Sequence, residues 1–206
     1  MLFSRNGIVP RVDRTARVAP TASVVGDVTV GEGCYVDYGV VIASSGPPVR
    51  LGKGVVVLAN AVIRSVGGHG RPAFPVRIGD ESIIAPQVAL AGCEIEERCY
   101  LATAVVVLQG ARVGRGSRVA VGAVVHAGTV LEPASRVGLH SVAAPDGENG
   151  ALITADIREA RDAIARADFF GRAFALDQPD QERLHRDAAA RLREEAAAWT
   201  DESIAH

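Results

Sequence analysis

Aromatic residues are scarce in this 206-residue chain, at 4% with a single tryptophan, while apolar residues reach 48%. A core without aromatics must be built from Val, Ile, Leu and Ala, which favours thin, regular layers over one large mixed core. No run of 18 apolar residues occurs, so no segment is expected to span a bilayer. Met1 to Arg14 holds no apolar stretch followed by a cleavage site, so no signal peptide is expected. The three cysteines are an odd number without a CxxC pair, which argues against a disulfide framework or a cysteine-rich zinc site. A reducing cytoplasm is the expected compartment. The net charge of -2 offers no general attraction to nucleic acid or to an anionic membrane.

What the chain does have is a repeat. From Val18 the six-residue steps run Val24, Val30, Val36 and Ile42. After a short insertion they resume at Leu51, Val57 and Ile63, and after a longer one at Ile78, Ile84 and Leu90. One five-residue step leads to Ile95, and the series continues through Leu101, Val107, Val113, Val119, Val125, Leu131 and Val137. Neither a helix nor a plain alternating strand produces this period. A triangular coil does, with one hexapeptide per side and the aliphatic residue pointing inward. The residue four places on must then be small, and those slots include Ala22, Cys34, Ala61, Ser82, Cys99, Ala111, Ser117 and Ala123. Cys93 falls in the same slot through the five-residue step, so all three cysteines read as small buried fillers. Gly31, Gly52, Gly79 and Gly114 follow aliphatic residues and are expected to mark corners needing unusual backbone angles. The expected fold is all-β, a left-handed parallel β-helix of hexapeptide repeats with C-terminal α-helices.

The repeat stops near Pro145, so the expected division is residues 1–145 as the β-helix and 146–206 as a helical extension. Thr154 is a plausible N-cap for a helix presenting Ile157, Ala160 and Ile164 on one face. Gly171 is expected to end or bend it. A second helix starts near Asp177 or Asp180 beside Pro179 and carries Leu184, Ala188, Leu192 and Trp199 as an apolar stripe. The mixed charge around this stripe favours packing on the β-helix or a neighbouring subunit over a membrane surface. The helices are expected to cover the open end of the solenoid, whose strand edges are otherwise unpaired.

Three segments resemble the γ-class carbonic anhydrases. They are Val18 to Gly31, Tyr38-Gly39-Val40-Val41 with Gly46 to Gly52, and Val76 to Asp80 running on to Leu90-Ala91-Gly92-Cys93. The resemblance covers roughly residues 10 to 145. It implies a homotrimer with a zinc site shared between subunits, held by three histidines with one position left for water. At the three ligand positions this sequence has Arg64, Pro86 and Ala91. A guanidinium, a pyrrolidine ring and a methyl group offer no lone pair to a dication. The family's Arg-Gly-Asp segment is replaced by Ala43-Ser44-Ser45, and its Asn, Gln and Asp before the first histidine by Val56, Leu58 and Ala59. The expectation is therefore no metal at these positions, no cofactor and no carbonic anhydrase activity by the family mechanism.

Two residues are candidates for binding a small anionic or acyl compound at the old site. Arg64 has the planar fork that suits carboxylate or phosphate, although an ion pair with a neighbouring subunit is an equal alternative. Asn60 lies on the same coil. His69, in the glycine-rich insertion Ser65 to Pro72, is the candidate catalytic base, as loop histidines serve hexapeptide acyltransferases, although a histidine without a role reads as the commoner case. A zinc site relocated to His69, His126 and His140 would need ligands from distant coils. Three function classes remain open: a metal-free binding trimer, a metal-independent acyltransferase or lyase, and a scaffold whose C-terminal helices dock a partner.

Overall fold

Each aliphatic residue of the six-residue series lies inside a three-sided coil in the computed structural model, which describes residues 1–68, 70–147, 150–166 and 181–204. From Val24 to Val137 the series is at most 3% exposed. The small slots are closed as tightly: Ala22, Val40, Ala61, Ser82, Val105 and Ala123 have no exposed surface. Burying a Val, Leu or Ile side chain contributes about 1.5–3 kcal/mol, so the column of stacked aliphatics is the main stabilising term. This confirms the parallel left-handed β-helix.

The strands are two or three residues long in most coils and stack into three parallel sheets. The first face begins with Leu2–Arg5 and continues through Ser23–Val25, Val41–Ala43, Val62–Arg64 and Ala89–Ala91. The second face runs from Arg11–Val12 to Val130–Leu131, and the third from Arg17–Val18 to Arg136–Val137. The two insertions leave the coil between the first and second faces. The longer one forms an antiparallel hairpin, Val66–Gly68 with Arg71–Phe74, bulged between Gly67 and Gly68. Phe74 lies over Gly92, where an added Cβ would stand 2.5 Å from the Phe74 Cβ.

The corner glycines have a different cause from the expected one. Gly31, Gly52, Gly79 and Gly114 do not have positive φ. That geometry falls two residues later, at Gly33 (φ 65°), Gly54 (61°), Glu81 (57°) and Gly116 (69°). The four glycines are needed because the next coil passes too close: a Cβ on Gly114 would lie 2.6 Å from the Leu131 carbonyl oxygen. Spacing along one coil cannot reveal contact between two coils.

The C-terminal segment is more entangled with the solenoid than a separate extension. Val142–Asp146 is still a parallel strand of the first face and turns into an antiparallel partner, Gly150–Thr154. Helix α1, Ile157–Arg166, packs on this hairpin and covers that end of the coil. Its N-cap is Asp156 rather than Thr154, because the Asp156 Oδ1 accepts from the Arg158 amide at 2.7 Å and the Glu159 amide at 3.3 Å. Thr154 instead accepts from the Asp156 amide at 2.9 Å. The buried positions are Ala160 and Ala163, while Ile157 is 83% exposed, so the apolar face is turned from the expected one. The expected break at Gly171 and the helix starts at Asp177 or Asp180 lie outside the described residues. Helix α2 spans Gln181–Ala197 and buries Ala188 while leaving Leu192 exposed. The final strand, Asp201–Ile204, returns to the other end of the solenoid and pairs antiparallel with Leu2–Arg5.

Candidate functional site

Arg64 ends its strand on the outer surface of the first face, in register with Ala43 on one side and Ala91 on the other. The two neighbours are small, so the long side chain is not displaced by either. Its Nε donates to Ser45 Oγ at 2.9 Å. Ser45 is itself fixed, because its amide donates to Ser65 Oγ at 2.8 Å and both serines are buried. The short insertion thus folds back under the guanidinium, and Ala43-Ser44-Ser45 has a structural reason for its small polar residues. The Nη groups of Arg64 have no acceptor among the described residues.

A second guanidinium lies nearby. Arg5 Nη1 donates to the Ser44 carbonyl at 2.9 Å, and its Nε and Nη2 grip the two oxygens of Asp201 at 2.7 and 2.6 Å. That bidentate pair keeps the Asp201 carboxyl below its ordinary range, and the hydrogen bond from Arg5 is the main cause. The Trp199 ring faces both arginines, with its centroid 4.2 Å from Arg5 Cζ and 5.5 Å from Arg64 Cζ. Both distances fall within cation–π range. Sequence reasoning singled out Arg64 as a candidate, but not Arg5, Ser45, Ser65, Trp199 or Asp201, which the fold brings into contact around it. The Ser44-Ser45 pair was visible as a departure from the family pattern. Nothing local connects residue 5 with residue 201.

Asn60 does not meet Arg64 within one chain. Asn60 is exposed at the preceding corner in a left-handed conformation (φ 61°), with its amide over Gly39 of the previous coil. Four residues of extended chain, at about 3.3 Å each, separate it from Arg64. Pro86 occupies the same corner one coil on, while Ala91 lies beside Arg64. His69 lies outside the described residues, although the hairpin that carries it begins directly after Ser65. Its strand residue Gly68 approaches Pro47 of the short insertion.

His126, His140 and the thiols are structural. His126 is 7% exposed, and burial lowers its pKa and keeps the ring neutral. His140 sits in a corner with φ 49°, and its ring covers Gly122 of the coil before. No group of three or more His, Cys, Asp or Glu residues among the described residues could hold a metal ion. Cys93 is 2% exposed and burial pushes its thiol up to about 12, while burial also raises Cys34 and Cys99. Thiols with raised pKa values are poor nucleophiles and poor metal ligands.

The fold defines the class: a left-handed β-helix of hexapeptide repeats. Structures with similar coils include a Bacillus cereus protein described as a putative acetyltransferase, 16% identical over 95% of this chain and 97% of its own with a TM-score of 0.45. No family model matches the chain. Its sequence relatives narrow the class. Gamma carbonic anhydrase 1 of Arabidopsis thaliana mitochondria is 33% identical over 121 residues, 58% of this chain and 44% of the relative. A Geobacillus kaustophilus carbonic anhydrase is 24% identical over 56% of this chain and 61% of its own. The Escherichia coli carnitine operon protein CaiE is 29% identical over 61% and 62%. The chain is thus a hexapeptide-repeat β-helix similar in sequence to γ-class carbonic anhydrases, and it spans 44% of the length of the first of these relatives.

Proposed function

We propose that this protein is a metal-free trimer that binds a small anionic or acyl compound at Arg64. The carrying observation is the guanidinium itself: Ser45 holds its Nε, and its Nη groups face outward between two small residues. Zinc does not fit the three positions implied by the resemblance. Arg64 is a cation already donating a hydrogen bond, Pro86 has no donor atom to offer, and Ala91 ends in a methyl group. No water-activating step is therefore assigned to this site.

Support for a trimer comes from an apolar edge. Tyr38 (57% exposed) and Leu139 (62%) lie at the corner where the third face turns into the first, Val41 (38%) and Val62 (43%) begin the first face beyond it, and Ile83 (39%) and Tyr100 (44%) point outward from the third face. Exposed large apolar residues aligned along one edge mark a protein–protein contact. Pro86 stands on this edge and Arg64 at the opposite end of the first face. Packing the edge of one subunit against the face of the next, in a closed ring, would complete the Arg64 site between subunits.

Metal analysis of the purified protein tests the first part: the expected zinc content is far below one per subunit, and stoichiometric zinc overturns it. Arg64→Ala tests the second. Loss of one charged hydrogen-bonding partner is worth about 1.5–3 kcal/mol, so affinity for a bound carboxylate should fall roughly tenfold or more. Unchanged affinity rejects the site. An acyltransferase or lyase reaction using His69 is a second reading, favoured by the hairpin base lying beside Pro47 and Ser65. Equal turnover of an acyl-CoA substrate by wild type and His69→Ala would reject it.

A further inference from the structure

Arg5 and Arg64 are two cations facing one indole ring, and among the described residues one carboxylate, that of Asp201, pairs with Arg5 and none pairs with Arg64. The acid comes from the far end of the chain, 196 residues from Arg5. It arrives on a strand that adds to the edge of the first face, with Leu2 opposite Ile204 and Arg5 opposite Asp201. The Asn6 amide donates to the Thr200 carbonyl at 2.9 Å, and the Asn6 side-chain oxygen accepts from the Thr200 amide at 2.9 Å. Trp199 then places its ring across both guanidiniums.

We propose that residues 199–204 are a tethered occupant of a two-arginine carboxylate site, and that a free carboxylate compound binds when this strap lifts. The inference rests on the reading of Arg64 as an anion-binding residue and adds what controls access to it. Asp201 displays the ligand chemistry. Its two oxygens meet the Arg5 Nε and Nη2 in the side-by-side geometry by which arginine recognises carboxylates. Arg64 keeps its Nη donors for a second acceptor, because Ser45 takes only the Nε. With the strap lifted, two guanidiniums facing the same small space lose their counter-charge and an anion is favoured there. With the strap down, the same anion must displace Asp201 and the indole together. A compound with two carboxylates suits the pair best, one for each fork.

The only tryptophan of the chain is in the strap, so its emission reports the strap alone. The experiment titrates malonate into the full-length protein and its Asp201→Asn and Asp201→Asn/Arg64→Gln variants, at matched ionic strength, with far-ultraviolet circular dichroism confirming an intact solenoid. Asp201→Asn should shift the Trp199 emission to the red and tighten malonate binding about tenfold, since the open fraction sets the apparent affinity. Adding Arg64→Gln should remove that gain. A red shift with malonate binding that Arg64→Gln leaves unchanged overturns the two-arginine carboxylate site. Malonate binding that needs Arg64 but is equally tight in wild type and Asp201→Asn overturns the strap and leaves the Arg64 site standing. If no malonate binds even with the strap lifted, the reading of Arg64 as an anion site fails as well.

Discussion

A methyl group added at Gly114 would meet the Leu131 carbonyl of the next coil at 2.6 Å, and neither backbone can yield without disturbing the stack. Gly114→Ala should therefore lower stability by about 1–3 kcal/mol, the usual cost of overpacking. Ala104 presents the opposite case. It holds a corner at φ 59°, a conformation costing a non-glycine residue about 1–2 kcal/mol. Ala104→Gly removes that strain and adds about 0.4–1 kcal/mol of freedom to the unfolded chain. The net expectation is a gain of a few tenths to about 1 kcal/mol. Urea midpoints of the two variants should move in opposite directions, and a lower midpoint for Ala104→Gly would contradict the corner argument. At this scale Arg64 was legible in the sequence and its partners were not. A guanidinium where a ligand is expected is visible from one position, but Ser45 reaches it only through the fold of the insertion.

The strap shows how narrowly an element can be held. Ordering the four strand residues of the strap, 201–204, costs about 1–2 kcal/mol each. The return is a short antiparallel ladder at about 0.5–1.5 kcal/mol per hydrogen bond, a partly exposed ion pair worth up to about 1, and cation–π contacts of similar size. These terms nearly cancel, so the strap is an element that small changes can open. Acid is one such change. Arg5 holds the Asp201 carboxyl below its ordinary value of 3.8, so the ion pair contributes fully above that value. It is lost only as pH falls through the lower folded value. Trp199 emission should stay constant from neutral pH down to about 4 and shift to the red below it. A shift centred near pH 6 would show that another group controls the strap. The strand was unforeseen because Asp201-Glu202-Ser203-Ile204 has no strand pattern of its own. It becomes a strand because Leu2–Arg5 presents an unpaired edge.

For the whole molecule, the question is what covers the apolar edge. Ile83 and Tyr100 are register partners on the third face, exposed by 39% and 44%. A charge in the middle of a buried contact is strongly unfavourable. Ile83→Glu should therefore reduce the particle mass measured by light scattering to that of one subunit, while circular dichroism stays unchanged because Ile84 still points inward at 0% exposure. A mass that stays at three subunits would place the contact elsewhere. No helix among the described residues is long and apolar enough to cross a membrane.

The amino-acid sequence determined the solenoid because its physics is local. One inward aliphatic and one small residue recur in each side, and any coil that satisfies its own six-residue rule also fits its neighbours. It also determined that guanidinium, pyrrolidine and methyl groups stand at positions 64, 86 and 91. Tertiary structure alone decided the rest: which glycines are needed for contact between coils, that the short insertion folds beneath Arg64, and that residue 201 meets residue 5. Those contacts join parts of the chain with no shared period, so only the assembled backbone brings them within hydrogen-bonding distance.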